Sequence, residues 1–181
     1  MSRDHELRAQ LLLILPNLRA FAISLCRNTD RADDLVQEAV VKALSNLDRF
    51  EPGTSLRAWL FTILRNSYYT EMRTAGREVA DVDGSHTARL ASVPEQMGHL
   101  AFQDLHAALQ KLPVQQREVL LLVGAQGLSY EETARICGVA VGTIKSRVCR
   151  AREQLAVLMG EIHTGEIGHD NLILAAMNKA A

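Results

Sequence analysis

The sequence is poor in aromatic residues, which make up 4% of its 181 positions. Its core must therefore rest mainly on Leu, Val, Ile and Ala, as in helix-rich packing. It also lacks an unbroken apolar run of about 18 residues, the length that a membrane-spanning helix needs. The most apolar stretch, "LRAQLLLILPNLRAF", is shorter than that and is interrupted by Pro16. We therefore expect no membrane insertion, and the mixed charges of the first ten residues argue against a signal peptide.

Cysteine is scarce as well, since Cys26, Cys137 and Cys149 are the three in the chain and no C-x-x-C pair occurs. Widely spaced, odd-numbered cysteines favour a reduced, cytoplasmic protein. The six histidines are scattered, and none stands with cysteines or acids at metal-ligand spacing. Phosphate-binding loops and the G-x-S-x-G and H-E-x-x-H motifs are missing. We therefore predict a protein that is not an enzyme and that uses neither a metal nor a cofactor.

The net charge of −1 conceals an uneven distribution. Residues 1–77 carry a net charge of +2, residues 78–103 carry −3, residues 104–155 carry +2 and residues 156–181 carry −2. A hydrophobic fraction of 48% is typical of a soluble globular chain rather than a disordered one. The sequence thus consists of two slightly basic blocks that an acidic stretch separates.

The first block has the apolar periodicity of α-helices. A second helix is predicted in "DDLVQEAVVKALSNL", where acids gather at the start and so suit the helix dipole. A Pro-Gly pair marks a loop, and "LRAWLFTILRNSYYTEMR" predicts a third helix. The apolar residues that we expect to face the core are Leu11, Leu15, Leu18, Ala22 and Leu25 in the first helix, Leu35, Val36, Ala39, Val40, Ala43 and Leu47 in the second, and Leu56, Leu60, Ile63 and Leu64 in the third.

The periodicity fades between the two blocks and again at the end of the chain. From Thr74 to about Ala101 the sequence is polar, acidic and broken by Gly and Pro, which predicts a linker with at most a short helix. After Gly160 the pattern is weak, with a loose helix in "NLILAAMNKA" as its best candidate. Strands and internal repeats are not evident. We therefore predict an all-α chain of two small helical domains joined by a flexible acidic linker.

Residues 127–155 have the spacing of a helix-turn-helix. Ser129 and Glu132 form a capping-box pattern at the start of one helix. Gly138 stands where a sharp turn requires a positive φ, and the second helix starts near Val141. The apolar positions expected to face the core are Ile144, Val148, Ala151 and Leu155. The positions left to face outward are Thr143, Lys145, Ser146, Arg147, Cys149 and Arg150.

This outward face suits DNA. Residues 141–152 contain four bases, including Arg152, and no acid. Lys and Arg neutralise phosphates, and Arg can reach a guanine edge with two hydrogen bonds. A helix presented after a tight turn fits the major groove. A charge run by itself usually means a solvated surface helix, but a capping box, a turn glycine and a basic helix in one place favour DNA contact.

The two blocks together resemble the extracytoplasmic-function (ECF) sigma factors. "LPVQQREVLLLVGAQGLSYEETARICGVAVGTIKSRVCRAREQL" is similar to their region 4, and "RADDLVQEAVVKAL" followed by "FEPGTSLRAWLFTILRN" is similar to their region 2. The likeness covers residues 10–73 and 104–155, and it is greatest to the general stress response sigma factors of alphaproteobacteria. The domains it implies are a region 2 helical bundle in 1–74, the linker in 75–103, a region 4 helix-turn-helix in 104–160 and a C-terminal tail in 161–181.

The resemblance implies a function in transcription initiation. A sigma factor of this family binds core RNA polymerase and directs it to specific promoters, here in a stress response. Its region 4 reads the −35 duplex, and its region 2 grips the polymerase clamp and captures the melted −10 strand. The acidic linker threads a channel meant for RNA. An anti-sigma factor is a further expected partner, because most of the family is held inactive by one.

The resemblance also assigns residues to these tasks. The polymerase-binding positions are Asp33, Asp34, Gln37 and Glu38. The −10 positions, around the loop of residues 48–55, are Arg49, Phe50, Thr54, Ser55, Arg57, Trp59, Arg65 and Asn66, with Phe61 as a further stacking candidate and Arg73 as a further phosphate contact. The −35 positions are Thr143, Lys145, Ser146, Arg147, Cys149 and Arg150. The residues alone favour core packing for Trp59, and they favour a charge cluster at a helix N-terminus for the acids of "DDLVQEA".

Two other functions fit part of the sequence. A helix-turn-helix repressor or activator would explain the second block, but it would leave "DDLVQEA" and the −10 loop unexplained. A sigma-like decoy that titrates an anti-sigma factor would explain both blocks. Such a decoy needs no DNA-facing bases and is normally fused to a receiver domain, for which this chain has no room.

Overall fold

The computed structural model describes residues 3–78 and 98–160, and within them every regular element is helical. A short 3₁₀ turn (Leu47–Arg49) and a π-helical turn (Leu121–Ala125) accompany seven α-helices in these ranges. The helices are α1 (Arg3–Cys26), α2 (Thr29–Ser45), α3 (Leu56–Glu78), α4 (Gly98–Lys111), α5 (Val114–Leu120), α6 (Tyr130–Cys137) and α7 (Val141–Leu158). The all-α prediction is therefore confirmed.

The helices flanking the linker are longer than the sequence suggests. Helix α3 continues to Glu78 and α4 already begins at Gly98, so both reach into the predicted linker of residues 75–103. The short linker helix and the terminal helix in "NLILAAMNKA" lie outside the described residues. The chain divides into two compact units, one holding α1 to α3 and the other holding α4, α5 and α7.

In the first unit, α1, α2 and α3 pack around a shared apolar core. Helix α2 contributes small residues, with Ala32, Ala39 and Ala43 almost fully buried, which allows its neighbours to approach closely. Large side chains from the other two helices fill the space, and the rings of Phe21 and Phe61 meet edge to face at 5.2 Å. Each such buried side chain contributes about 1.5–3 kcal/mol to folding. The buried face of α2 is rotated from the predicted one, because Val36 and Val40 are only partly buried.

Helix α1 runs without a break through Pro16, so the expected interruption is wrong. Pro16 is exposed, and its ring therefore costs the helix one backbone hydrogen bond without disturbing the core. By length and composition, residues His5–Cys26 are long and apolar enough to cross a membrane, with a mean hydropathy of 1.6. One face of the helix, which includes Leu18 and Phe21, is buried within the first unit, as in a core helix of a bundle.

In the second unit, a buried arginine ties α5 to the end of α4. The Arg117 side chain is 1% exposed, and its guanidinium donates to the carbonyl oxygens of Leu109, Gln110 and Leu112 at 3.3–3.5 Å. A cation at the carbonyl end of a helix is favoured by the helix dipole. The adjoining apolar cluster consists of Ala108, Leu112, Leu120, Ala151 and Leu155.

The helix-turn-helix forms as its sequence pattern predicts. The Ser129 Oγ accepts from the Glu132 backbone N–H at 3.0 Å, and the Glu132 carboxylate accepts from the Ser129 N–H at 2.9 Å. Gly138 has a φ of 66°. The Gly138 N–H donates to the carbonyl of Arg135 and the Val139 N–H donates to the carbonyl of Ala134, which is the hydrogen-bond pattern of a Schellman C-cap. The turn that sets the direction of α7 therefore depends on the left-handed backbone conformation of Gly138.

We predict opposite stability effects at two glycines on either side of this turn. A Cβ at Gly138 would meet no atom within 4 Å, so Gly138→Ala costs only the left-handed backbone strain, roughly 1–2 kcal/mol. Gly142 also has open space around it but has helical backbone, so Gly142→Ala should stabilise by up to about 1 kcal/mol. Urea unfolding followed by far-UV circular dichroism measures both. Equal effects of the two substitutions would contradict the assignment of strain to Gly138.

Candidate functional site

The outward face of α7 carries the predicted duplex-contacting residues. Of these, Lys145, Ser146 and Arg150 are exposed, whereas Thr143, Arg147 and Cys149 are partly buried at the flanks. The opposite face is buried as predicted, through Ile144, Val148, Ala151 and Leu155. Arg152, one of the four bases in residues 141–152, is only 9% exposed and therefore does not belong to the basic outward face of α7. Three bases therefore remain on the outward side.

Polar groups on this face are partly engaged with one another. The Ser146 hydroxyl donates to the carbonyl of Thr143 at 2.9 Å, which leaves its oxygen lone pairs as acceptors. The Cys149 thiol donates to the Glu153 carboxylate at 3.3 Å. This hydrogen bond, followed by burial, raises the pKa of the Cys149 thiol. Sequence reasoning missed Glu153, because the basic segment was counted only to Arg152.

Helix α7 lacks a side-chain cap. Ala140 occupies the N-cap position with an extended backbone, and no side-chain hydrogen bond reaches the first turn. The Thr143 N–H and the Ile144 N–H both donate to the Ala140 carbonyl. The remaining N–H groups of the first turn therefore point out of the helix start, where phosphate oxygens are favourable acceptors.

The loop between α2 and α3 is built on an aromatic pair. Phe50 is 6% exposed, and its ring packs against Trp59 with the centroids 5.4 Å apart. Gly53 has a φ of 84°, the Thr54 hydroxyl donates to the Glu51 carbonyl at 2.7 Å, and the Ser55 Oγ accepts from the Ala58 N–H at 3.1 Å, capping α3. The loop is therefore held at both ends, with its tip exposed.

The structure changes the roles expected for two aromatic residues. Phe61 is fully buried against Phe21, so the prediction that it stacks on unpaired bases is wrong. Phe50 was predicted to contact the −10 strand, but its burial makes it a support for Trp59, whose own ring is partly exposed. In the sequence, both residues stand at positions where an aromatic ring could be either buried or exposed. Only the packing of the folded chain shows that these two rings are buried.

The outer side of α3 carries the other predicted −10 residues. Asn66 is exposed, seven residues after Trp59 and seven before Arg73, so all three share one helix face. The Arg65 guanidinium lies over the Tyr69 ring, 4.5 Å from its centroid. Near the loop, Arg49 and Thr54 are exposed, and Ser55 and Arg57 are partly buried.

The predicted docking residues of α2 are all exposed, and two of them are held by ion pairs. Asp33 accepts two hydrogen bonds from Arg19, at 2.6 and 3.0 Å, and this interaction lowers the pKa of the Asp33 carboxyl. Glu38 pairs with Lys42, whose ammonium also donates to Ser67 at 2.9 Å. These contacts set the orientation of the acids on the outer side of the helix.

An apolar patch, which the sequence did not predict, continues from these acids. Val41 is 61% exposed and Leu44 is 40% exposed, and both follow Gln37 at helical spacing. On the neighbouring helix, Leu12 is 64% exposed and Leu13 is 79% exposed. Because α1 and α2 form an antiparallel hairpin, counting back from the Arg19–Asp33 ion pair places Leu12 opposite position 40, one residue from Val41. We call Leu12, Val41 and Leu44 the α1–α2 apolar patch, because Leu12 lies on the same side of α1 as Arg19, whereas the next residue, Leu13, points about 100° away from it.

Titratable groups away from these surfaces show no catalytic or metal-binding arrangement. In residues 3–78 and 98–160, no three His, Cys, Asp or Glu side chains come together as metal ligands would. Burial raises the pKa of the Cys26 thiol to about 11, with Arg31 lowering and Glu71 raising it slightly. Burial, and then the charge of Arg117, lower the pKa of His106.

We predict that Cys149 reports its contact with Glu153 through its reactivity. The thiolate is the reactive form, so a raised pKa slows alkylation at a fixed, mildly alkaline pH. Glu153→Gln removes the carboxylate that raises the pKa and should accelerate iodoacetamide labelling of Cys149. Labelling of Cys26, which serves as the internal control, should not change. Peptide mass spectrometry measures both rates, and an unchanged rate at Cys149 would show that the contact does not persist in solution.

Comparison with known families places each of these surfaces in a recognised segment. Residues 13–78 match Sigma-70 region 2, and residues 102–155 match Sigma-70, region 4. The region 2 match contains α2, the aromatic loop and the whole of α3. The region 4 match contains the helix-turn-helix up to Leu155.

Individual proteins agree with this assignment. EcfG of Rhodopseudomonas palustris, an ECF RNA polymerase sigma factor, is 54% identical over 177 residues, which cover 98% of each chain. SigM of Mycobacterium tuberculosis, also an ECF RNA polymerase sigma factor, is 34% identical over 77% of this chain and 69% of its own. The sigma factor RpoE of Bartonella quintana, crystallised with the anti-sigma factor NepR, is 52% identical with a TM-score of 0.80, covering 87% of this chain and 99% of that one. The chain therefore belongs to the ECF family of RNA polymerase sigma factors.

Proposed function

We propose that this chain binds core RNA polymerase and directs it to the promoters of a general stress response. One observation carries the proposal: a docking face, a loop suited to unpaired bases and a duplex-reading helix occur together in one chain that is 54% identical to an ECF sigma factor over nearly its whole length. A helix-turn-helix repressor would require only the last of the three. A decoy for an anti-sigma factor would not require the basic face of α7.

Region 4 reads the −35 duplex through α7 in this proposal. Lys145, Ser146, Cys149 and Arg150 face base edges in the major groove, and Thr143 and Arg147 at the flanks contact phosphates. Three outward bases are few for a protein that binds DNA alone, because non-specific affinity grows with the number of neutralised phosphates. The polymerase therefore supplies most of the affinity for DNA.

Region 2 captures the melted −10 strand in this proposal. The tip of the loop, with Arg49, Thr54 and Ser55, encloses a flipped base, and Asn66 offers an amide to its edge. Trp59 presents the exposed part of its ring for stacking, with Phe50 behind it, because base–aromatic stacking suits single strands of any sequence. Arg57 and Arg65 lie along the strand and contact phosphates.

Helix α2 docks on the polymerase in this proposal. Asp33, Asp34, Gln37 and Glu38 supply the polar contacts, and the α1–α2 apolar patch supplies buried area beside them.

We assign residues 1–74, extended by α3 to Glu78, to region 2 and residues 104–160, preceded by the start of α4, to region 4. The segment between them is the linker and residues 161–181 are the tail. Such a factor works in the cytoplasm and has no catalytic activity of its own.

An anti-sigma factor is the second partner that we propose. RpoE of Bartonella quintana was crystallised with NepR, and the structure of CnrH was determined with the cytosolic domain of CnrY, at 28% identity and a TM-score of 0.57 to this chain. An inhibitor that covers the apolar surfaces of both regions would prevent polymerase binding. The α1–α2 apolar patch offers exposed apolar side chains for this purpose, since Leu12 is 64% exposed and Val41 is 61% exposed.

Transcription in vitro tests the proposed function. Adding the purified chain to core polymerase from the same lineage, with fragmented genomic DNA, should produce discrete RNA 5′ ends that share a two-part upstream element. A chain without the Lys145 and Arg150 side chains (Lys145→Ala, Arg150→Ala) should lose starts that depend on the −35 part. If active core polymerase yields no chain-dependent starts, the chain is not a sigma factor.

The docking face is tested by Val41→Ser. Val41 is largely exposed, so the substitution should leave stability within about 0.5 kcal/mol while removing an apolar contact from the proposed interface. We expect the affinity for core polymerase to fall on the order of tenfold, the effect typical of one interface residue of moderate importance. Fluorescence anisotropy with labelled chain measures the affinity.

A matched control and a second readout accompany this test. Val157→Ser changes the same residue type at a similar exposure, 64%, in the other unit and should leave polymerase affinity unchanged. Capture from extracts of unstressed cells should return polymerase and a small inhibitor with the wild-type chain, and less of both with Val41→Ser. Capture of polymerase alone by the wild-type chain would contradict the anti-sigma proposal, and unchanged polymerase affinity would contradict the docking face.

A further inference from the structure

An exposed acid, Glu153, lies on the same side of α7 as the basic face, just beyond its last base. Glu153 follows Ser146 by seven residues and Arg150 by three, so it shares their side of the helix. It is one helical turn, about 5 Å, beyond Arg150 along the helix axis. A carboxylate on a surface that meets phosphates weakens non-specific binding, and its position therefore requires an explanation.

The stability of α7 does not provide that explanation. Glu153 lies in the second half of the helix but before its last turn, so the helix dipole does not stabilise its charge. Arg150, at the favourable spacing of three residues, forms no ion pair with it. Ala also has a higher helix propensity than Glu. Glu153→Ala is therefore not expected to destabilise the fold.

The contact with Cys149 prepares the carboxylate for a specific task. The Cys149 thiol donates a hydrogen bond to Oε1 of Glu153 at 3.3 Å, and this contact restricts the side-chain rotamers of Glu153. The second carboxylate oxygen stays available on the exposed side. A carboxylate only accepts hydrogen bonds, and in the major groove it pairs with the exocyclic amino group of cytosine. It is repelled by the acceptor atoms O6 and N7 of guanine.

We propose that Glu153 is a specificity-determining residue of −35 recognition that accepts a hydrogen bond from the cytosine N4 amino group, with Cys149 as the residue that positions it. This inference rests on the proposed function, because it assigns a role within the same duplex-reading surface. The contacted base pair lies next to the one that Arg150 contacts, since one helical turn spans one to two base-pair steps. The Glu153 carboxylate then favours cytosine at one position of the −35 element, and its charge also weakens binding to non-specific DNA.

The test uses polymerase holoenzyme and a promoter library with a randomised −35 element. Transcripts carry a barcode, so sequencing gives the preference for each base at each position. For the wild-type chain we expect one position that prefers cytosine on the contacted strand. Glu153→Ala should reduce that preference on the order of tenfold, the discrimination that one base-edge contact supplies, and leave the other positions unchanged.

Three further variants separate this role from simpler ones. Cys149→Ala should weaken the preference at the same position and by less, because it removes the contact that positions the carboxylate and leaves the carboxylate itself in place. Glu153→Gln should shift the preference toward adenine, which pairs with an amide. Gln154→Ala, an exposed neighbour on the flank of the same helix, should change nothing.

Each alternative outcome has a distinct meaning. If Glu153→Ala leaves all base preferences unchanged, or raises transcription equally for all four bases, the carboxylate reads no base and the inference is overturned. If Cys149→Ala affects a different position from Glu153→Ala, the positioning role of Cys149 is wrong. If the wild-type chain yields no transcripts from the library with active core polymerase, the proposed function fails and the inference fails with it.

Discussion

The duplex-reading surface depends on the burial of the opposite face of the same helix. Ile144, Val148, Ala151 and Leu155 anchor α7 in the core of the second unit, and this anchoring leaves a fixed set of side chains pointing outward. The helix could rotate about its axis only by exposing these four residues, at about 1.5–3 kcal/mol for each large one. The Schellman turn at Gly138 fixes the entry of the helix, and the buried Arg117 fixes the helices beneath it.

The first unit applies the same principle to two surfaces. Helices α1, α2 and α3 bury one face each, and their outer faces then serve different purposes. On α2, ion pairs with Arg19 and Lys42 hold Asp33 and Glu38 in place at little net gain in stability, because exposed ion pairs contribute 0–1 kcal/mol. At the start of α3, the burial of Phe50 supports Trp59 and leaves the loop tip exposed, where we propose that it receives a base.

The charge of the chain predicts a weak affinity for DNA when the chain is free. The chain has a net charge of −1, and the outward face of α7 keeps three bases and one acid. A factor that must act only as part of a larger enzyme gains from this balance, since few phosphate contacts mean little occupation of random sites. Glu153 agrees with this balance, because its charge lowers the non-specific affinity for DNA. In our proposal it also adds discrimination between bases at one base pair.

The sequence by itself determined the helical class, the two blocks, the capping box, the turn glycine and the core face of α7. These features depend on local propensity and on periodicity within one element, which can be read without knowing what the element packs against. Only the tertiary structure decided which polar and aromatic side chains are accessible. Arg152, Phe50 and Phe61 looked available in the sequence and are buried, whereas Val36 and Val40 were expected to face the core and are only partly buried. The physical reason is that a helix of mostly apolar residues has several plausible inner faces, and the neighbouring helices select one of them by shape.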